Sequence, residues 1–127
     1  MVRRSLITSA AWLIPAAVLG QFLLAGLSLF HDARSWAGHG ILGSALALPI
    51  GIFAVATLTG SRVGHLRFWA LAQATVYVVQ VGLILVGQSA GSGILQALHA
   101  SNGALLLLVS FIFAQKAGLP PKAGRPH

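Results

Sequence analysis

Hydrophobic positions run almost unbroken through four stretches of the chain, about residues 6–30, 38–59, 68–87 and 94–115, with short polar connections between them. Each stretch is close to or beyond the roughly 20 apolar residues that carry an α-helix across the hydrocarbon core of a bilayer. Short connections make consecutive helices antiparallel neighbours. The pattern therefore predicts an all-α, integral membrane, antiparallel four-helix bundle. Pro15 and Pro49 fall inside the first two stretches, where a kink is expected and neighbouring helices can re-satisfy the freed backbone groups. The first stretch follows Arg3 and Arg4, as a secretory signal would. It is too long for a signal's apolar core and reads as a retained helix.

The two halves of the chain resemble each other. Gln21 stands eighteen residues before His39, and Gln80 stands nineteen before His99. Each glutamine is followed shortly by a Gly-Leu pair, Gly26-Leu27 and Gly82-Leu83. This spacing predicts a duplicated helical hairpin, an arrangement in which ligand sites often lie between the equivalent helices.

Composition agrees with the pattern and removes several functions. Of the 127 residues, 57% are hydrophobic and 7% charged, and the mean hydropathy is +0.87, values outside the range of soluble domains. With no cysteine, disulfides, iron–sulfur ligation, covalent haem attachment and thiolate chemistry are excluded. Asp32 is the only acid, so no site can use two carboxylates from one chain. The net charge of +7 sits at the ends of the apolar stretches. With four spans, Arg3, Arg4, Arg62, Arg67, Lys116, Lys122 and Arg125 share one side and Arg34 alone occupies the other. By the positive-inside rule both termini are cytoplasmic, and the charge calls for a lipid bilayer rather than nucleic acid. Residues 1–117 form the bundle, and 118–127 read as a basic, disordered cytoplasmic tail.

Candidate chemistry lies at two histidines. His39 and His99 each open an apolar helix, and each has glycine at i+4, Gly43 and Gly103. Four spans put both at similar depth on the outer side. In a sequential square bundle the second and fourth helices are diagonal, so two imidazoles can point into one central volume, as a six-coordinate haem iron requires. Glycine at i+4 shares the histidine's helix face, so Gly43 and Gly103 are expected to leave room for the porphyrin plane. Zinc or copper sites need more ligands than this level of the chain offers.

Arg34, the sole outer cation, is a candidate partner for the haem propionates. Pairing with Asp32 or a lipid phosphate is the alternative. Gln21, Gln73 and Gln80 are expected to hydrogen-bond between helices, with Gln21 and Gln80 also candidates to face the cofactor. Gly20, Gly26, Gly82 and Gly87 are read as points of close helix approach. His31 reads as interfacial or lining the haem edge, His65 as a cytoplasmic loop residue and His127 as solvated. Trp12 and Trp69 read as interfacial anchors, and Trp36 either as an anchor or, with Ser35, Ser89 and Ser92, as a helper at the propionate edge.

The run Gln80-Val81-Gly82-Leu83-Ile84-Leu85-Val86-Gly87, a short loop, and then Leu98-His99-Ala100-Ser101-Asn102-Gly103-Ala104-Leu105 resembles one four-helix half of the haem A synthase family. The resemblance implies a bundle in the bacterial inner membrane that holds haem b from its outer side, with His39 and His99 in the ligand positions. That family also carries a glutamate shortly before a ligating histidine. Here Trp36 stands three residues before His39 and the chain has no glutamate, so haem-methyl oxidation is not expected of it.

The expected function is a membrane b-type cytochrome-like protein for electron transfer or haem handling, and not an enzyme on its own. It would act alone, as a homodimer, or beside a respiratory or other redox membrane partner. A cofactor-free membrane subunit or assembly factor, and a haem-modifying component completed by a partner chain, are the alternatives.

Overall fold

The computed structural model describes residues 2–119. Lys122, Arg125, His127 and nearly all of the expected tail lie outside them. The described chain is helical, without strands: α1 (Val2–Phe30), α2 (Ser35–Ala45), α3 (Ala47–Thr59), a short 3-10 helix (Ser61–Leu66), α4 (Arg67–Ser89) and α5 (Gly93–Gly118). Four helical spans, Leu6–Phe30, Ser35–Thr59, Val63–Ser89 and Gly93–Gly118, are long and apolar enough to cross a membrane. The expected elements are all present, each longer than its apolar run. The stretch around His65, read as a loop, is the 3-10 helix leading into α4.

The two prolines behave differently. Pro15 lies within an unbroken α1. Pro49 cannot donate to the carbonyl four residues back, and its ring crowds that carbonyl. The second span accordingly breaks at Leu46, whose N–H reaches back to Leu42 and Ser44 while Ile50 bonds to Leu46. The break gives the two halves different neighbours. α2 packs on α1, whereas α3 packs mainly on α4. α5 packs on both α1 and α4, which closes the square. The backbone of α2 approaches neither α4 nor α5; its distance from α5 is what the diagonal placement of the second and fourth spans requires, and its distance from α4 follows from the break before α3.

Connections are fixed locally. Asp32 Oδ1 accepts the Arg34 N–H, and Ser35 N–H bonds to the Asp32 carbonyl. Between α4 and α5, Gly91 adopts φ +61, the left-handed conformation that glycine reaches without strain. Ser92 N–H then bonds back to Gly87 O, and Ser92 Oγ caps Leu95 N–H. Gly87 is a true close approach, since a Cβ there would stand 3.1 Å from Leu95 and Gln96 atoms. At Gly20 a Cβ would meet Leu42 at 3.2 Å. Gly26 and Gly82 face open space, so the close approach expected at these two is not made.

Two apolar clusters hold the bundle. Ala11, Leu66, Ala70, Phe113, Ala114 and Ala117 pack at the end away from the histidines, and Ile14, Val18, Leu46, Ile50 and Leu106 pack at mid-height. Large apolar side chains such as Leu13, Leu23, Leu48, Ile52, Val78 and Leu108 point outward. Small and polar residues, including Ser28, Thr57, Gln73 and Ser110, are buried. This is the distribution of helices that associate by close packing and internal hydrogen bonds in an apolar solvent.

Gln73 donates to Ser110 Oγ at 2.7 Å, both fully buried, while Gln73 Oε1 has no partner. Ser110→Ala leaves a second atom of the amide unpaired and is expected to cost about 1–2 kcal/mol. Adding Gln73→Leu removes the stranded amide, so the double variant should recover most of that loss. Thermal unfolding of the four proteins of this cycle in detergent is the check.

Candidate functional site

The two histidines meet. His39, on the second turn of α2, and His99, on α5, have ring centres 6.3 Å apart with their planes at 66°. Both are partly buried. Each ring is aimed by the same device, one in each hairpin. His39 Nδ1 lies 3.1 Å from the Gln21 carbonyl oxygen, and His99 Nδ1 lies 2.9 Å from the Gln80 carbonyl oxygen.

A carbonyl only accepts, so both Nδ1 atoms carry a proton, and in the neutral ring the lone pair then sits on Nε2. Fixing the tautomer through a main-chain carbonyl in this way is typical of metal-binding histidine. The glutamine–histidine spacing thus does form an equivalent contact in both halves. It acts through the glutamine main chain, which the residue type does not reveal.

The side-chain amides differ between the halves. Asn102 Nδ2 donates to the Val76 carbonyl at 3.0 Å and to Gln80 Oε1 at 2.7 Å. That turns Gln80 Nε2 toward His99 Nε2, 3.4 Å away. Every role in this chain follows from its two ends, the carbonyls of Val76 and Gln80, which can only accept. On the other side Gln21 Nε2 is buried without an acceptor, and the Trp36 ring stands edge-on to His39 with centres 5.4 Å apart.

The glycines lie at the site, but the space beside them is filled. A Cβ at Gly43 would meet Gln21 Oε1 at 3.3 Å, and one at Gly103 would meet Phe22 at 3.3 Å and Gln80 Nε2 at 3.4 Å. The expected clearance is therefore taken up by mobile ends of side chains from α1 and α4 rather than left open. Tyr77, the only tyrosine, donates to the Gly43 carbonyl at 2.8 Å and tethers α2 to α4 where their backbones stay apart.

Asn102, Tyr77 and Phe22 were not picked out by sequence reasoning. Asn102 was the findable one, as an amide three residues after His99 in an apolar helix. Arg34 lies exposed in the loop before α2, its main-chain N–H held by Asp32. His31 is exposed beside it, and His65 is exposed in the 3-10 helix, away from the pair.

Chemically, the pair can hold one metal between two neutral imidazoles. A metal–nitrogen bond of about 2 Å on each side, plus roughly 1 Å from each nitrogen to its ring centre, sets such rings about 6 Å apart. No cluster of three or more histidine and acidic side chains forms among the described residues. The pair alone does not complete a zinc shell. It suits a metal that brings its other ligands with it, as haem iron does.

Fold and site together define an all-helical protein with four membrane-length spans and one histidine from each of two hairpins facing at one end. Residues 21–90 match the model of a family of unknown function, DUF6220, and the chain belongs to that family. The matched segment includes Gln21, Trp36, His39, Tyr77 and Gln80, and ends before α5. No curated protein and no solved structure matches the chain.

Proposed function

We propose that this chain is a membrane-embedded, b-type haem protein whose axial ligands are His39 Nε2 and His99 Nε2. It serves electron transfer or haem handling rather than catalysis on its own. The observation that carries the reading is the pair itself, two imidazoles with ring centres 6.3 Å apart, each turned by a main-chain carbonyl so that Nε2 is left with a lone pair.

Haem b held by His39 and His99 would supply an iron centre that exchanges single electrons. The chain's own part is to hold the two rings and to aim them, each through its Nδ1–H on the Gln21 or Gln80 carbonyl. Gln21 Nε2 is a buried donor in want of an acceptor at the same place. Arg34 is the cation available to propionates, by bidentate pairing. The resemblance of 80–87 and 98–105 to half of a haem A synthase agrees with this reading.

The apolar exterior of the four spans supports insertion in a membrane, and the resemblance to half of a haem A synthase points to the bacterial inner membrane. The placement of Lys and Arg supports cytoplasmic termini, with the histidine pair toward the outer face. A homodimer or a redox membrane partner would complete the electron path.

A cofactor-free packing role is the second reading, favoured by the Gln80 amide that already satisfies His99 and by the side chains seated against Gly43 and Gly103. The full chain, expressed with ample haem supply and purified in detergent, separates the two. A b-type pyridine haemochrome near one haem per chain is expected. Colourless protein would overturn the haem reading in favour of the second.

A further inference from the structure

The two ligand positions are not equivalent once the imidazoles are followed off the metal. His99 Nε2 has a donor waiting, Gln80 Nε2 at 3.4 Å, and Asn102 clamps that amide in the orientation that presents its N–H. His39 Nε2 has no such donor among the described residues, and its nearest ring neighbour is the edge of Trp36. At the position corresponding to Asn102, three residues after the histidine, the first hairpin carries Leu42. A buried imidazole leaving a metal loses its nitrogen's partner. That loss is offset for His99 by an amide already within reach, whereas the nearby buried donor on the other side, Gln21 Nε2, makes no hydrogen bond.

We infer that the His99 side is an exchangeable coordination position, taking small neutral diatomic ligands such as carbon monoxide, while His39 stays bound. The inference rests on the proposed haem reading. In the exchange the iron–His99 Nε2 bond breaks and an iron–carbon bond forms. No electron or proton moves, and His99 Nε2 accepts from Gln80 in place of iron. Gln80 and Asn102 are positioning residues here, because they act on His99 rather than on the iron.

The test uses the haem-loaded full chain, reduced and mixed with carbon monoxide, with uptake followed in the Soret region. The wild-type protein is expected to bind the gas. Gln80→Leu and Asn102→Leu are each expected to slow uptake about fivefold, the factor one net hydrogen bond contributes. Ser101→Ala, on the exposed face of α5, should leave the rate unchanged.

In haem-free protein, Gln80→Leu should shift the nitrogen-15 resonance of His99 Nε2 and leave that of His39 in place. Equal uptake rates in wild type, Gln80→Leu and Asn102→Leu, or no uptake by wild type, would overturn this inference while the haem reading stands. Absence of a Soret band in wild type would overturn both.

Discussion

His39→Ala and His99→Ala are each expected to lose the six-coordinate, low-spin haem spectrum, and haem retained through purification should fall by more than about tenfold for His39→Ala. Loss of a group that merely orients a metal ligand already costs 10–100-fold in affinity, and here a ligand itself is removed. His99→Ala should keep more haem, in a five-coordinate form. The ring it removes is the one with an alternative partner in Gln80, and the His39 ring keeps its Gln21 carbonyl. Visible spectra of the purified variants are the measurement. Adding free imidazole to His99→Ala should restore the low-spin bands, which a misfolded protein would not do. An unchanged spectrum in both variants would remove the pair from any role as ligands.

Phe113→Ala is expected to produce the largest loss of stability, about 3 kcal/mol or more. The ring is fully buried at the end of the bundle away from the histidines and meets Phe53 edge-on at 4.9 Å. Its buried cluster holds Leu66 and four alanines, Ala11, Ala70, Ala114 and Ala117, and the alanine side chains bring the helices close and cannot reach into the hole left behind. Helices in an apolar solvent gain little from leaving that solvent, so the lost contacts are felt directly. Thermal unfolding in detergent, read by circular dichroism, is the check. At temperatures where the variant is folded, its haem spectrum should match wild type, because α3 and the base of α5 carry the ring while α2 and the top of α5 carry the site.

The same division explains what was legible in the sequence. The four spans announced themselves, since backbone groups in an apolar medium leave few alternatives to long helices. The pair of histidines was legible because each came with a glycine one turn on, and the even helix count put both at one end. Their aim was not. It depends on carbonyls of residues 21 and 80, and any residue type supplies a carbonyl. The amide relay through Asn102 was legible in principle, since an amide in an apolar helix needs a partner, but its direction depends on Val76, an apolar residue acting through its main chain.

Pro49 advertised a kink but not its place. The missing N–H belongs to residue 49, and the helix gives way three residues earlier at Leu46, where the ladder has to be re-paired. Gly26 and Gly82 misled, because in a helix of lipid-facing leucines a glycine can lie on an outward face and approach nothing.

The break at Leu46 reaches beyond geometry. Above it, α2 has a single helical neighbour, so swinging it outward sacrifices one packed seam and the Tyr77 tether, while the apolar clusters at mid-height and at the opposite end stay shut. The upper half of the second span is therefore held by α1 and the Tyr77 hydroxyl rather than by two flanking helices. The His39 imidazole rides on that segment, so its distance from His99 is set by the α1–α2 seam.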